Sequence, residues 1–350
     1  MHMADALVSP VVGGIMWGAT AGTIAYCSAK VRADLDDRKV PLMGVLGAFL
    51  FAAQMINFTI PATGSSGHLG GGLLLAILLG PHAAFLTIAS VLFVQALFFA
   101  DGGLLALGCN IFNLGAFPAF IAYPFVYRKI ISGQPSRRRL NLAAIVAAIA
   151  GLQLGAFGVV LETALSGISS LPFSTFVALM QPIHLAIGIV EGIVTVAVVS
   201  FVYTARPEII RGALEARPIG NHSLRSVILG FLAAAVLAGG ILSLFASKNP
   251  DGLEWSLARV TGTETLTGPK QGVHGLLATL QQQAAFLPDY SFGKANRADG
   301  RAAGATPAGT ASAAKGRILG TSVSGIVGGF MALGVTLIVG LALKRRSRTA

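Results

Sequence analysis

The chain begins Met1-His2, and by covalent geometry those two residues can chelate a metal. The Met1 amine and the His2 backbone nitrogen close a five-membered ring on an ion, and the same backbone nitrogen closes a six-membered ring with the His2 Nδ1. Three nitrogens are thereby preset in one plane. Binding through the amide nitrogen displaces its proton, which favours ions that accept a tetragonal field of nitrogen donors, chiefly Ni(II) and Cu(II). This chemistry requires a free amine on Met1. The bulky His2 is expected to spare Met1 from removal. The first apolar run lacks a basic leader and exceeds signal-peptide length, so no cleavable signal is expected. A fourth nitrogen would complete a square, and the candidate is His68 in TGSSGHLGG, where Gly64, Gly67, Gly70, Gly71 and Gly72 let the backbone approach another segment closely. Taken singly, each histidine has a plainer reading: His2 as a polar residue at a frayed end, His68 as a helix cap or interfacial side chain.

The elements that must position these groups are membrane helices. Of 350 residues, 54% are hydrophobic and 11% charged, which excludes an ordinary globular domain. Lipid leaves backbone groups no water, and the apolar runs are too long for barrel strands, so the fold class is an all-α polytopic membrane protein. Nine spans are expected, near residues 7–29, 41–60, 68–80, 82–100, 104–127, 140–165, 175–203, 226–246 and 321–343. Lys30, Arg32, Arg38 and Lys39 follow the first span, and Arg128, Lys129, Arg137, Arg138 and Arg139 follow the fifth. Arg206, Arg211, Arg217 and Arg225 follow the seventh, and Lys344, Arg345, Arg346 and Arg348 follow the ninth. Residues 61–67, 101–103 and 166–174 hold no Lys or Arg. The alternation predicts an external N-terminus and a cytoplasmic C-terminus in the cell membrane. His2 and His68 then share the external side. The net charge of +11 follows this topology and implies no nucleic acid. Residues 247–320 form an external segment, its first part a small module through about Phe292 and its Gly/Ala-rich remainder a flexible tether.

Ionisable and amide groups inside spans are costly and therefore candidates for function. Gln181, His184, Gly188 and Glu191 lie three, four and three apart, on one helical face that is expected to look into the bundle. They are candidates to support a metal or to switch conformation; interhelical hydrogen bonding is the plainer alternative. Asp101 could attract a divalent cation from outside or simply end its helix. Gln54 with Asn57, and Asn110 with Asn113, are expected to bond between helices, and Glu162 to reach the interface. Gly14, Gly18 and Gly22 form a small-residue stripe on the first span, as do Gly44, Ala48 and Ala52 on the second, suited to close packing or to a partner helix. No G-x-x-x-x-G-K-[ST], H-E-x-x-H or G-x-S-x-G occurs, so neither P-loop ATP hydrolysis nor an enzyme of those types is expected.

MHMADALVSP, SGHLGGG, LGPHAAF, FFADGGLLALGCNIFNLG and NPDGLEW together resemble the CbiM/NikM family, the substrate-binding components of energy-coupling factor (ECF) transporters for cobalt and nickel, fused to a PDGLE-type N component. The resemblance implies a seven-helix metal-binding domain over residues 1–205, a cytoplasmic linker over 206–225, and a PDGLE region over 226–350. That region comprises helix 226–246, the extracytoplasmic segment 247–320 and helix 321–343. The family's metal is held by the terminal amine, the amide and imidazole nitrogens of the second residue, and the SGHL histidine, here Met1, His2 and His68. Apart from the resemblance, the polar residues Asp101, Asn57, His184 and Glu191 are expected to support the site. The implied function is capture of Ni2+, or alternatively Co2+, with no prosthetic group. The implied partners are a transmembrane coupling subunit and two ABC ATPase subunits. A self-sufficient secondary metal permease is the competing function, with the Gln181, His184, Glu191 face as its path.

Overall fold

A computed structural model describes residues 2–33, 38–132, 136–215, 217, 223–292 and 307–348, with side chains of the last helix over 319–344. It is helical almost throughout. In chain order it contains α1 (Pro10–Ala33), α2 (Lys39–Gln54), a hairpin of β1 (Phe58–Ile60) and β2 (Ser65–Gly67), α3 (Gly72–Leu79) and α4 (Pro81–Phe99). There follow α5 (Leu107–Ile131), α6 (Arg137–Ser166), α7 (Phe173–Ala205) and α8 (Pro207–Glu215). The PDGLE region adds α9 (Arg225–Gly240), α10 (Gly252–Thr261), α11 (Gly272–Ala284) and α12 (Pro307–Arg348).

Six helices of the described residues are long and apolar enough to cross a membrane: α4, α5, α6, α7, the stretch Arg225–Phe245 and Leu319–Lys344. The first two expected spans correspond to α1, of 24 residues, and α2, of 16. Two differences from the expected pattern have clear causes. The run at 41–60 leaves helix after Gln54, and Phe58–Ile60 pairs antiparallel with Ser65–Gly67 across a turn in which Ala62 and Gly64 take positive φ. The run at 68–80 is helical over only eight residues, about 12 Å of rise, too short to span. Gly71 stands before it in the left-handed region, and Gly80-Pro81 closes it. Every residue of α3 is buried, as a helix apolar on all sides must be. His68 therefore sits on a loop before a buried half-helix, away from any span's end.

The face predicted on α7 points inward. His184 and Glu191 are buried, while Leu185, Ile189 and Ile193, at i, i+4 and i+8, are exposed on the opposite side where lipid would lie. The two small-residue stripes have different fates. On α2 the face is covered from within the chain: a Cβ on Gly44 or Gly47 would stand 2.8 Å from Leu337 or 3.0 Å from Thr336 of α12. On α1, Gly14, Gly18 and Gly22 have open space around them, beside exposed Val11 and Ile15.

Residues 247–292 contain the short helices α10 and α11. Asp251 caps α10 in a capping box: its carboxylate accepts from the Leu253 and Glu254 amides, and Glu254 accepts from the Asp251 amide. Of the expected tether, 293–306 lies outside the described residues, and from Pro307 the backbone is already helical.

Candidate metal centre

The arm that carries His2 includes a 3-10 turn over Asp5–Leu7 and is held in place by groups outside it. The Met3 amide donates to Asn110 Oδ1 at 2.8 Å, and its carbonyl accepts from Gly103 N at 2.9 Å and Asn110 Nδ2 at 3.2 Å. One carboxamide on α5 thus reads both polar groups of the Met3 backbone. Asn110, expected to bond between helices, fixes the N-terminal arm instead. Asp5 accepts from the Ala106 amide at 3.0 Å, and His274 donates to the Val8 carbonyl at 2.9 Å. Met3, Leu7 and Val8 are fully buried, so the arm is anchored in the core.

The second histidine rides on the loop between β2 and α3. His68 Nδ1 lies 3.1 Å from the Leu69 carbonyl; because a carbonyl only accepts, Nδ1 carries the proton and Nε2 keeps its lone pair. The loop is secured downstream by Glu191, whose two carboxylate oxygens accept from the amides of Gly70 at 2.9 Å and Gly71 at 3.0 Å. Gln54 donates to the Gly70 carbonyl, and Gln95 in turn to Gln54.

Between these anchors the imidazoles of His2 and His68 lie next to each other with their planes nearly parallel, the ring centroids 5.1 Å apart and the planes 14° apart. Burial pulls the pKa of His2 down to about 3 and that of His68 down to about 4, so both rings are neutral at pH 7 and can act as ligands. A carboxylate stands on each side of the pair. Asp101 Oδ1 is 3.4 Å from His2 Nδ1, and Asp251 Oδ2 is 4.0 Å from His68 Nε2. Burial raises the Asp101 pKa. At Asp251 burial works in the same direction, but the charges and N–H donors around it, His68 and the Glu254 amide among them, prevail and hold it below the usual carboxylate range.

Asp251 comes from the PDGLE module, which reaches the site through several bonds. The Ser66 amide donates to the Pro250 carbonyl at 2.7 Å, and Ser66 and Asp251 form a parallel bridge. Trp255 Nε1 donates to the Thr63 carbonyl at 2.9 Å. Tyr290 donates to Asp101 Oδ2 at 2.5 Å, and Gln281 bonds the Ala96 and Gly102 carbonyls. Gly252 rests on His184, where a Cβ would meet the imidazole Cε1 at 2.9 Å. A small cavity beneath is lined by His68, His184, Ile187 and Asp251.

The structure brings His2, His68 and Asp101 together, with Glu191 one loop removed and His184 below Gly252. His184 is tied to Met180, its Nδ1 donating to that carbonyl at 2.7 Å. Asn57 enters through its backbone, its carbonyl accepting from Ser247 N at 2.7 Å. Met1 lies outside the described residues. Glu162, expected to reach the interface, is buried and accepts from Asn113 at 2.7 Å. Among the described residues no group of three or more His, Cys, Asp or Glu side chains is arranged to hold a metal ion by itself. Sequence reasoning left open whether Asp251 touches the site and did not find Tyr290. The D-G-L-E capping pattern marks Asp251 only as a helix start; no local signal marks Tyr290.

Comparison with known proteins agrees with these features. Residues 2–209 match the family model for the CbiM cobalt uptake substrate-specific transmembrane region, and residues 225–345 match the PDGLE domain. The chain is 31% identical over 316 residues to the fused nickel transport protein NikMN of Rhodobacter capsulatus, covering 83% of this chain and 88% of that one. It is 29% identical over 253 residues to the cobalt transport protein CbiM of Geobacter sulfurreducens, covering 68% and 70%. A crystal structure described as a truncated transition metal transporter superposes with a TM-score of 0.52 at 30% identity, covering 59% of this chain and 99% of that one. The chain belongs to the CbiM family with a fused PDGLE domain: it is a multi-pass membrane protein and a nickel/cobalt transport component of the CbiM/NikMN type, a transporter and not an enzyme.

Proposed function

We propose that this chain is the substrate-capture component of an ECF-type importer, and that it binds Ni2+ in a square of four nitrogens. The nitrogens are the Met1 amine, the His2 backbone nitrogen, His2 Nδ1 and His68 Nε2. The observation that carries the proposal is the close, near-parallel pairing of His2 with His68, two neutral rings of which one has an unprotonated Nε2 by its own hydrogen bond. Two imidazoles supply half of a tetragonal donor set, and a terminal amine with its adjacent amide supplies the other half within one chelate. Such a planar field favours Ni(II) over Co(II), which makes cobalt the alternative cargo. Asp101 and Asp251 offset the ion's charge as it leaves water, and His184 and Asn57 support the loops around it.

The N-terminus and the PDGLE module face outward and the C-terminus inward in the cell membrane, an orientation supported by the placement of Lys and Arg. Residues 1–205 form the capture domain, 206–225 the cytoplasmic linker and 226–350 the PDGLE region. A transmembrane coupling subunit and two ABC ATPase subunits complete the transporter. The open stripe of Gly14, Gly18 and Gly22 on α1 supports docking of a partner helix there. Gln181, His184 and Glu191 are engaged with Gln153, Met180 and the Gly70-Gly71 amides, which favours the capture reading over a permease path along that face.

Calorimetric titration of Ni2+ into the purified full chain, with visible absorption for planar nickel, tests the assignment. His2→Ala and His68→Ala are each expected to lose high-affinity binding, and a double variant with unchanged affinity overturns it.

A further inference from the structure

We infer that Glu191, deep in α7, is the positioning residue of His68: its carboxylate sets the loop so that the His68 Nε2 faces His2, and metal affinity depends on it through His68. The inference rests on the proposed role of His68 as a ligand.

The Gly70 and Gly71 amides are the donors of the peptides that follow Leu69 and Gly70, and they precede α3. A helix start leaves such N–H groups without intrahelical partners. The residue at the cap position is Gly71, which has no side chain to satisfy them. Glu191 satisfies both at once, one oxygen to each, from 120 and 121 residues away in sequence. The fit leaves no slack: a Cβ on Gly70 would stand 3.0 Å from Glu191 Oε2, and Gly71 adopts φ +77° against Leu50. With Gln54 donating to the Gly70 carbonyl, the same peptide is held on its acceptor side too. The loop is therefore fixed on both sides within two residues of His68, and its own glycines offer little resistance to displacement.

Glu191 sits on the same inward face of α7 as His184 and Ile187. A Cβ on Gly67 would meet Ile187, and a Cβ on Gly252 would meet both Ile187 and His184. One helix face thus supports the residue before His68, the residues after it, and the PDGLE turn next to Asp251. Side chains that orient a metal ligand typically contribute about 10- to 100-fold to affinity.

The test uses the full-length chain in detergent, with Ni2+ alone as the titrant. In Glu191→Gln, one of the two acceptors is replaced by an NH2 that faces an N–H donor, so the loop loses its seat while side-chain size is kept. Expected is a fall in Ni2+ affinity of about 10- to 100-fold, with the visible nickel band shifted toward that of His68→Ala. Combined with His68→Ala, Glu191→Gln is expected to cost nothing further. Wild-type affinity in Glu191→Gln overturns the inference, and so does an equal additional loss on top of His68→Ala, which would make Glu191 a general prop of the fold. Should Glu191→Gln not be recovered from membranes, Glu191→Asp is read by the same criteria, since it keeps the charge and withdraws the carboxylate by one methylene. If His68→Ala itself keeps wild-type affinity, the ligand assignment fails, a result distinct from failure at Glu191 alone.

Discussion

The imidazole of His2 lies against that of His68 at 5.1 Å between centroids and 14° between planes, although 65 residues separate them and neither ring has a regular element of its own. Each is placed by a distant polar group, His2 through Asn110 on Met3 and His68 through Glu191 on Gly70 and Gly71. Two neutral rings in van der Waals reach gain little from each other. Their juxtaposition acquires a reason when one ion bridges them, and the predictions below follow from that.

Adding two residues before Met1 turns its amine into an amide and removes one nitrogen of the proposed chelate. Ni2+ binding by calorimetry is expected to fall at least as far as in His68→Ala, and the planar nickel absorption to vanish. Removing the extension with a protease that leaves Met1 first is expected to restore both.

Asn110→Ala removes the carboxamide that pairs with the Met3 backbone and leaves its buried N–H without a partner, a penalty of about 1–3 kcal/mol. The arm is expected to detach before the bundle melts. Hydrogen exchange over residues 3–8 should accelerate, and Ni2+ affinity should drop, while helix content by circular dichroism stays unchanged.

Asp251→Asn separates charge from capping, because Asn caps a helix about as well as Asp. The α10 module is expected to keep its thermal stability, with weaker Ni2+ binding and a smaller dependence of association rate on ionic strength. Asp251→Ala is expected to lose about 1 kcal/mol more, through the cap. Stopped-flow binding at two salt concentrations, with melting curves, distinguishes the two substitutions.

The pH dependence has a defined sign. His2 and His68 have pKa values lowered to about 3 and about 4 in the fold, against 6.5 when unfolded. Between those values the unfolded chain binds the extra protons, so these groups contribute stability above about pH 6.5 that is lost as pH falls toward 4. Glu254, raised to about 7 first by burial and then by Asp251, acts in the opposite sense between 4.5 and 7. The clean observable is therefore a difference: the melting temperature of His2→Ala is expected to decline less than that of the wild type between pH 7 and pH 4.5.

The two glycine stripes are expected to respond differently. Gly18→Leu on α1 meets open space and should leave the isolated chain's stability and Ni2+ binding unchanged while weakening co-purification with a coupling subunit. Gly44→Leu on α2 overfills the contact with Leu337 and should destabilise the chain by about 1–3 kcal/mol, measured by thermal melting in detergent.

Much of this was legible in the residues. Hydropathy marked the membrane helices, and the spacing of His184, Gly188 and Glu191 marked the inward face of α7, because helical period fixes which side chains share a side. Met1-His2 announced its chelating potential by covalent geometry alone. Where Gly and Pro interrupt the apolar runs, hydropathy misled: it could not distinguish a buried eight-residue α3 from a spanning helix, since both are apolar on every side.

The tertiary structure decided the partners of each polar group. That Asn110 holds the Met3 backbone, that Glu191 caps the His68 loop from 120 residues away, that Asp251 stands beside His68 and that Tyr290 bonds Asp101 all depend on which chain segments the packed bundle brings together. A sequence specifies the chemistry that a side chain can do. Hydrogen bonds and charge act over a few ångströms in space, and chain order does not encode those distances.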